Sequence, residues 1–117
     1  MLPKRVYAKI NLDNIKKNIH TVRQKFGDGV TVMGIVKANA YGHGAVEFAS
    51  LMEDAGADYL AVAYPVEGIE LRQAGINSPI MVLTAGTDFF DEIIDNSLEP
   101  GIPNLSALKA LVQVLAR

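Results

Sequence analysis

The sequence predicts an α/β protein with a parallel sheet and helical crossovers, and two observations predict it. Short apolar runs alternate with helix-length segments along the whole chain. The pair Ala-Gly stands ahead of two of those runs, at Ala55-Gly56 and Ala74-Gly75, and marks similar strand–helix units.

The elements follow in order. Leu12-Asp13-Asn14-Ile15 opens a helix expected to reach about Phe26. Ile15, Ile19, Val22 and Phe26 share one helical face, with Lys16, Lys17, Arg23 and Lys25 mostly off it. Gly27-Asp28-Gly29 ends that helix, and the run Thr31-Val32-Met33-Gly34-Ile35-Val36 reads as a buried strand. After a glycine-punctuated turn, residues 45–52 read as a helix that closes at Ala55-Gly56, with Gly56 suited to the C-terminal cap. A strand over residues 59–63 leads to Pro65, well placed for the first turn of a helix that ends at Ala74-Gly75. A strand over 80–83, the pair Gly86-Thr87 and a helix over 88–95 make the next unit. A weaker strand over 98–102 and a helix over 105–116 complete the chain.

Composition excludes several functions. Half of the 117 residues are hydrophobic and 21% are charged, which supports one domain-sized core. The net charge of −2 offers no electrostatic attraction to nucleic acid or to a membrane. There is no cysteine, hence no disulfide framework and no thiol nucleophile. No apolar run approaches the ~18 residues that span a bilayer. Met1-Leu2-Pro3-Lys4-Arg5 has no apolar stretch behind it, so it is not read as a secretory signal. A cytoplasmic protein fits these features.

The richest segment is Val36-Lys37-Ala38-Asn39-Ala40-Tyr41-Gly42-His43-Gly44. It puts a lysine at the end of a buried strand, where an amine is costly unless paired, neutral or covalently modified. A Gly-rich turn into a helix is also a ready cradle for phosphate. An amine beside such a cradle points to a phosphorylated aldehyde cofactor, pyridoxal phosphate. Alternation along the strand puts Met33, Ile35 and Lys37 on one face and Val32, Gly34 and Val36 on the other.

These nine contiguous residues resemble the cofactor-lysine motif of the bacterial alanine racemases. The resemblance extends to Arg5-Val6-Tyr7-Ala8-Lys9-Ile10-Asn11-Leu12, similar to the family's first strand and the start of its first helix. It continues through Tyr59-Leu60-Ala61-Val62-Ala63, Glu67-Gly68-Ile69-Glu70-Leu71-Arg72 and Ser78-Pro79-Ile80-Met81-Val82-Leu83. The family's proteins are longer: an eight-stranded α/β barrel and then a β-rich domain. The resemblance therefore implies the first half of a (β/α)8 TIM-type barrel. Residues 1–117 would be the N-terminal part of the barrel domain, with the other half and the β domain absent from the sequence.

The resemblance also implies roles. Lys37 is similar to the residue that carries pyridoxal 5'-phosphate and acts as one catalytic base. Tyr41 is similar to the residue whose hydroxyl contacts the cofactor phosphate, and Leu83 to an apolar residue lining the cofactor pocket. The implied activity is interconversion of L- and D-alanine, which supplies D-alanine for peptidoglycan, in a cytoplasmic homodimer. In the family a partner-subunit tyrosine is the second base, and nothing in this sequence corresponds to it, so the chain alone is expected to be inactive. A cofactor-binding or structural half-barrel without turnover is the alternative. His43 is read as serving the turn and His20 as a surface residue. Asp88, Asp91, Glu92 and Asp95 read as a solvated helix face and not as a metal site.

Overall fold

The structure, a computed structural model, describes residues 5–117. Residues 1–4, where the segment read as lacking a secretory signal begins, lie outside the described residues. Helix α1 (Leu12–Phe26) starts where the Asn11 side chain accepts the Asn14 N–H at 3.1 Å. It stops at Gly27, whose φ of +75° suits glycine. Of the apolar stripe on this helix, Ile19 is buried and Ile15 is half-buried, while Val22 and Phe26 are exposed. The strand expected over residues 5–10 does not form. A strand exists only against a hydrogen-bonded partner, and none of the described strands lies beside this segment, whose Val6 and Tyr7 are exposed.

Four parallel strands form one sheet in the order β1 (Met33–Ile35), β2 (Tyr59–Val62), β3 (Ile80–Val82) and β4 (Glu99–Pro100). A short helical element, α2 (Lys37–Tyr41), follows β1 and leads into α3 (Ala45–Asp54). Helix α4 (Pro65–Gln73) joins β2 to β3, with Pro65 in its first turn as expected. A 3-10 turn at Thr87–Phe89 precedes α5 (Phe90–Asp95), so the helix expected over 88–95 begins as a tighter coil. Helix α6 (Leu105–Leu115) ends the chain's regular structure. Each strand pairs with the next in sequence, which is the progression of a (β/α)8 barrel carried through four strands.

The core lies between the sheet and its helices. Val36, Leu60, Val62, Ile80 and Val82 point from the sheet to Met52, Leu71, Phe90 and Ile93, and all of them are buried. Each such side chain contributes about 1.5–3 kcal/mol of burial free energy. Gly34 leaves room for α3 to pack closely: a Cβ at that position would sit 2.2 Å from the Met52 methyl carbon, so the flexible Met52 side chain would have to turn aside to admit a larger residue. On the other face, Met33 and Ile35 are 36% and 38% exposed, as strand parity predicts. Tyr59 and Glu99 also lie on this face, and the Tyr59 hydroxyl donates to the Glu99 carboxylate. That bond and the nearby negative charge raise the phenol above its ordinary value.

Helices α3, α4 and α5 end alike. After α3, Gly56 N–H donates to Glu53 C=O and Ala57 N–H to Met52 C=O. After α4, Gly75 and Ile76 do the same to Arg72 and Leu71, and after α5, Ser97 and Leu98 to Ile94 and Ile93. This is the Schellman closure, and its left-handed residue is glycine twice and Ser97, at φ +54°, once. The joints between helices and following strands are tied by side chains. Arg23 donates to Val30 C=O at 2.8 Å and pairs with Asp58, whose carboxylate accepts the Val32 N–H at 2.8 Å. Glu53 Oε2 accepts the Asn77 and Ser78 N–H groups and the Ser78 hydroxyl at 2.7–2.9 Å. Arg72 donates to the carbonyls of Ile76, Ser78, Asn96 and Ser97.

Two outcomes follow from these contacts. Ser97→Gly relieves a left-handed serine while keeping the backbone bonds, and should raise stability by about 0.5–1 kcal/mol, measured by urea unfolding; an unchanged or lower midpoint contradicts this. The hydrogen bonds from Ser78 hold the Glu53 carboxyl below its ordinary 4.5, and the Val32 N–H with Arg23 holds Asp58 below 3.8. A depressed carboxyl stabilises the fold fully above its unfolded value, and the contribution is lost as pH falls through the folded value. Stability should therefore fall as the pH drops from about 5. Glu53→Gln should flatten that acid limb, and an unaltered pH slope would show that Glu53 does not carry it.

Candidate functional site

The site expected from the sequence lies at the C-terminal end of the strands, the end at which α/β-barrels carry their chemistry. Val36 N–H still donates to Ala61 C=O at 2.9 Å, so β1 stays attached to β2 up to the residue before Lys37. There the backbone changes hand. Ala38, Asn39, Ala40 and Tyr41 all have φ between +51° and +56°, a single left-handed turn made without glycine. The glycine-punctuated turn expected from the sequence thus begins earlier and is stranger: Gly42 and Gly44 only complete it, at φ +89° and +94°. A left-handed residue other than glycine costs roughly 1–2 kcal/mol, so this segment stores strain that neighbouring contacts must offset.

Those contacts can be named. Within the turn, Ala40 N–H donates to Val36 C=O at 3.0 Å, and Gly42 and Gly44 N–H donate to Asn39 C=O at 3.1 and 3.0 Å. The Asn39 side chain accepts the Ala45 N–H at 2.8 Å, tying the turn to the start of α3. A ring nitrogen of His43 lies 2.9 Å from Ala40 C=O, and the ring meets Phe48 edge-on at 6.0 Å, consistent with service to the turn. From outside, Glu67 in the first turn of α4 accepts the Ala38 N–H on Oε2 at 2.6 Å. Its Oε1 accepts the Ala63 and Tyr64 N–H groups at 2.9 and 2.8 Å.

Lys37 is half-buried, not enclosed as a buried strand end would require, because the face it shares with Met33 and Ile35 is open. The ion pairs among the described residues are Arg23–Asp58 and Arg117–Asp91, and neither involves Lys37. Tyr41 is 63% exposed and lines a cavity of about 470 Å³ with Met33, Ile35, Ile15 and His43. Leu83, one residue past β3, lines a different cavity of about 400 Å³ with Thr84, Thr87, Pro103 and Asn104. Lys37 lines neither. The three residues thus share one end of the sheet without closing around a common space. Glu67 and Asn39 were not singled out from the sequence. The signal for Glu67 was a carboxylate three residues after the helix-capping position Tyr64, next to a first-turn proline.

Among the described residues there is no group of three or more His, Cys, Asp or Glu placed to hold a metal, and no helix is long and apolar enough to cross a membrane. Asp91 of the acidic helix face pairs with Arg117 at 3.2 Å.

Comparison with known proteins agrees with the geometry. Residues 10–117 match the family model described as alanine racemase, N-terminal domain. The alanine racemase of Clostridium kluyveri is 45% identical over 102 residues, which cover 86% of this chain and 26% of that protein. That of Clostridium perfringens is 41% identical over 107 residues, 91% of this chain and 28% of that protein. The chain therefore spans little more than a quarter of the length of these relatives. Among solved structures, alanine racemase of Clostridium difficile 630 superposes with a TM-score of 0.88 at 39% identity, covering 92% of this chain and 28% of that one. The same protein is also described in complex with cycloserine. The enzyme from Streptomyces lavendulae superposes with a TM-score of 0.89 at 35% identity, covering all of this chain and 31% of that one. With the parallel order of the strands, the turn that follows β1 and these matches together, the chain belongs to the alanine racemase N-terminal domain family and has the fold of the first half of its TIM-type barrel.

Proposed function

We propose that residues 1–117 are the N-terminal part of the barrel domain of a pyridoxal-phosphate-dependent alanine racemase, which interconverts L- and D-alanine. The observation that carries this reading is the amine of Lys37 at the C-terminal end of the first strand of the sheet, opening a turn braced from both neighbouring helices. The residues present suit the cofactor by type: an amine outside the ion pairs of the described residues suits an aldehyde, and an exposed phenol suits a phosphate. When bound, the cofactor supplies an electron sink for the charge left at the substrate Cα.

Each residue then has a task. Lys37 would hold the cofactor through its amine, and its Nζ would take or return the substrate Cα proton on one face. The Tyr41 hydroxyl would donate to the cofactor phosphate, and Leu83 would give the site apolar surface. The proton on the opposite face requires a second base. We assign it, with the remaining phosphate contacts, to regions beyond these residues and to the partner in a cytoplasmic homodimer. The description of the Clostridium difficile enzyme with cycloserine supports a small-molecule ligand for this chain too.

Borohydride reduction of the intact protein with pyridoxal phosphate, followed by peptide mapping, should find the pyridoxyl group on Lys37, and Lys37→Ala should abolish racemisation. A pyridoxyl group on Lys9 or Lys109 instead would overturn the assignment. Tyr41→Phe removes one hydrogen bond to a charged group, worth about 1.5–3 kcal/mol. Equilibrium dialysis should therefore show weaker cofactor retention, by about tenfold or more. A variant that retains cofactor normally yet loses proton removal from one enantiomer would place Tyr41 in proton transfer instead.

A further inference from the structure

We propose that Glu67 is the positioning residue for Lys37. Its carboxylate clamps the amide that follows Lys37 to the amides that end β2, and so fixes the left-handed turn on which Lys37 and Tyr41 stand. As a positioning role for the amine, this rests on the cofactor reading above; as a statement about the turn, it stands on the hydrogen bonds alone.

The bonds exceed what a helix start needs. A glutamate in the third position of α4 satisfies its capping role by returning to the Tyr64 N–H, as Oε1 does. The same oxygen also accepts the Ala63 N–H, and Oε2 reaches across the sheet to Ala38, 29 residues away in sequence. The Ala38 N–H belongs to the peptide plane between Lys37 and Ala38. Holding that plane sets ψ of Lys37 and φ of Ala38, the torsions through which the turn departs from the strand. Ala38 is also the first of the four left-handed residues, so its release would let the rest relax toward the right-handed or extended regions that L-residues favour.

The carboxylate is the group this arrangement requires. All three partners are N–H donors on two sides of one side chain, so both oxygens must accept. A glutamine has one accepting oxygen and one NH2, and in either orientation an NH2 faces an N–H. An aspartate keeps both acceptors but is one methylene shorter, so it would reach the Ala38 amide with longer, weaker bonds. Glu53 provides a control. It too accepts three hydrogen bonds, but at the opposite end of the sheet.

The test compares Glu67→Gln, Glu67→Asp and Glu53→Ala in the intact protein. Amide hydrogen exchange of the peptide covering residues 36–44 is read by mass spectrometry, and the yield of pyridoxyl-Lys37 is read after borohydride at limiting cofactor. Glu67→Gln should speed exchange in that peptide by about tenfold or more and lower the yield on Lys37 by about tenfold. Glu67→Asp should move both in the same direction by less. Glu53→Ala should lower thermal stability and leave that peptide and the yield near wild type. If Glu67→Gln matches Glu53→Ala in both readouts, the clamp is overturned. If Glu67→Gln does not accumulate folded, Glu67→Asp decides: wild-type protection of residues 36–44 in that variant overturns the proposal. If the wild-type protein carries no pyridoxyl group on Lys37, the cofactor reading falls, and the exchange of residues 36–44 alone upholds or overturns the clamp.

Discussion

Four consecutive L-residues in left-handed space cannot hold themselves, and the upper end of this structure is organised around holding them. Local bonds within the turn close it but leave its orientation to the sheet free. That orientation comes from two side-chain bonds, one made by a residue of the turn and one made to it from outside. Asn39 Oδ1 binds the first amide of α3, and Glu67 binds the first left-handed residue from α4. Lys37 thus sits between a strand that is fixed by pairing and a turn that is fixed from its neighbours. A strained element at this point has a physical use: it redirects the chain within a few residues, where a right-handed turn would carry it elsewhere.

The two ends of the sheet are built for different purposes. At the end where the strands begin, Arg23, Asp58, Glu53 and Arg72 satisfy backbone groups of the joints between helix and strand. These bonds lock each strand–helix unit to the next, and they hold the Glu53 and Asp58 carboxyls below their ordinary values. At the other end, the backbone is held by Glu67, with Lys37 half-buried and Tyr41 exposed. In α/β-barrels generally, the end where the strands begin serves stability and the C-terminal end of the strands carries the chemistry.

The face opposite the helices completes the picture. Met33 and Ile35 project from it beside Tyr59 and Glu99, and Leu83 lies at its upper rim. In a closed eight-stranded barrel these positions fill layers of interior side chains. In the four-stranded sheet described here they stand partly exposed, which is why Lys37 is half-buried and why Tyr41 and Leu83 line separate cavities. The half-barrel match to enzymes three to four times longer agrees with that exposure.

By itself the sequence determined the order of strands and helices, because its signals are local. Alternating apolar runs, Ala-Gly helix ends and a first-turn proline act within a few residues, and the structure closes its helices at those positions. The parity of Met33 and Ile35 was legible for the same reason, as was the place of Lys37 at the end of a strand. Strand lengths were less legible, and the strand expected over residues 5–10 was misread, because pairing depends on what lies alongside. The tertiary structure alone decided the left-handed turn. Local propensity favours positive φ at Asn39 alone among Ala38, Asn39, Ala40 and Tyr41; the bond from Ala38 N–H to a carboxylate 29 residues away braces the turn, and that distance in sequence is bridged only once β1 and β2 are paired.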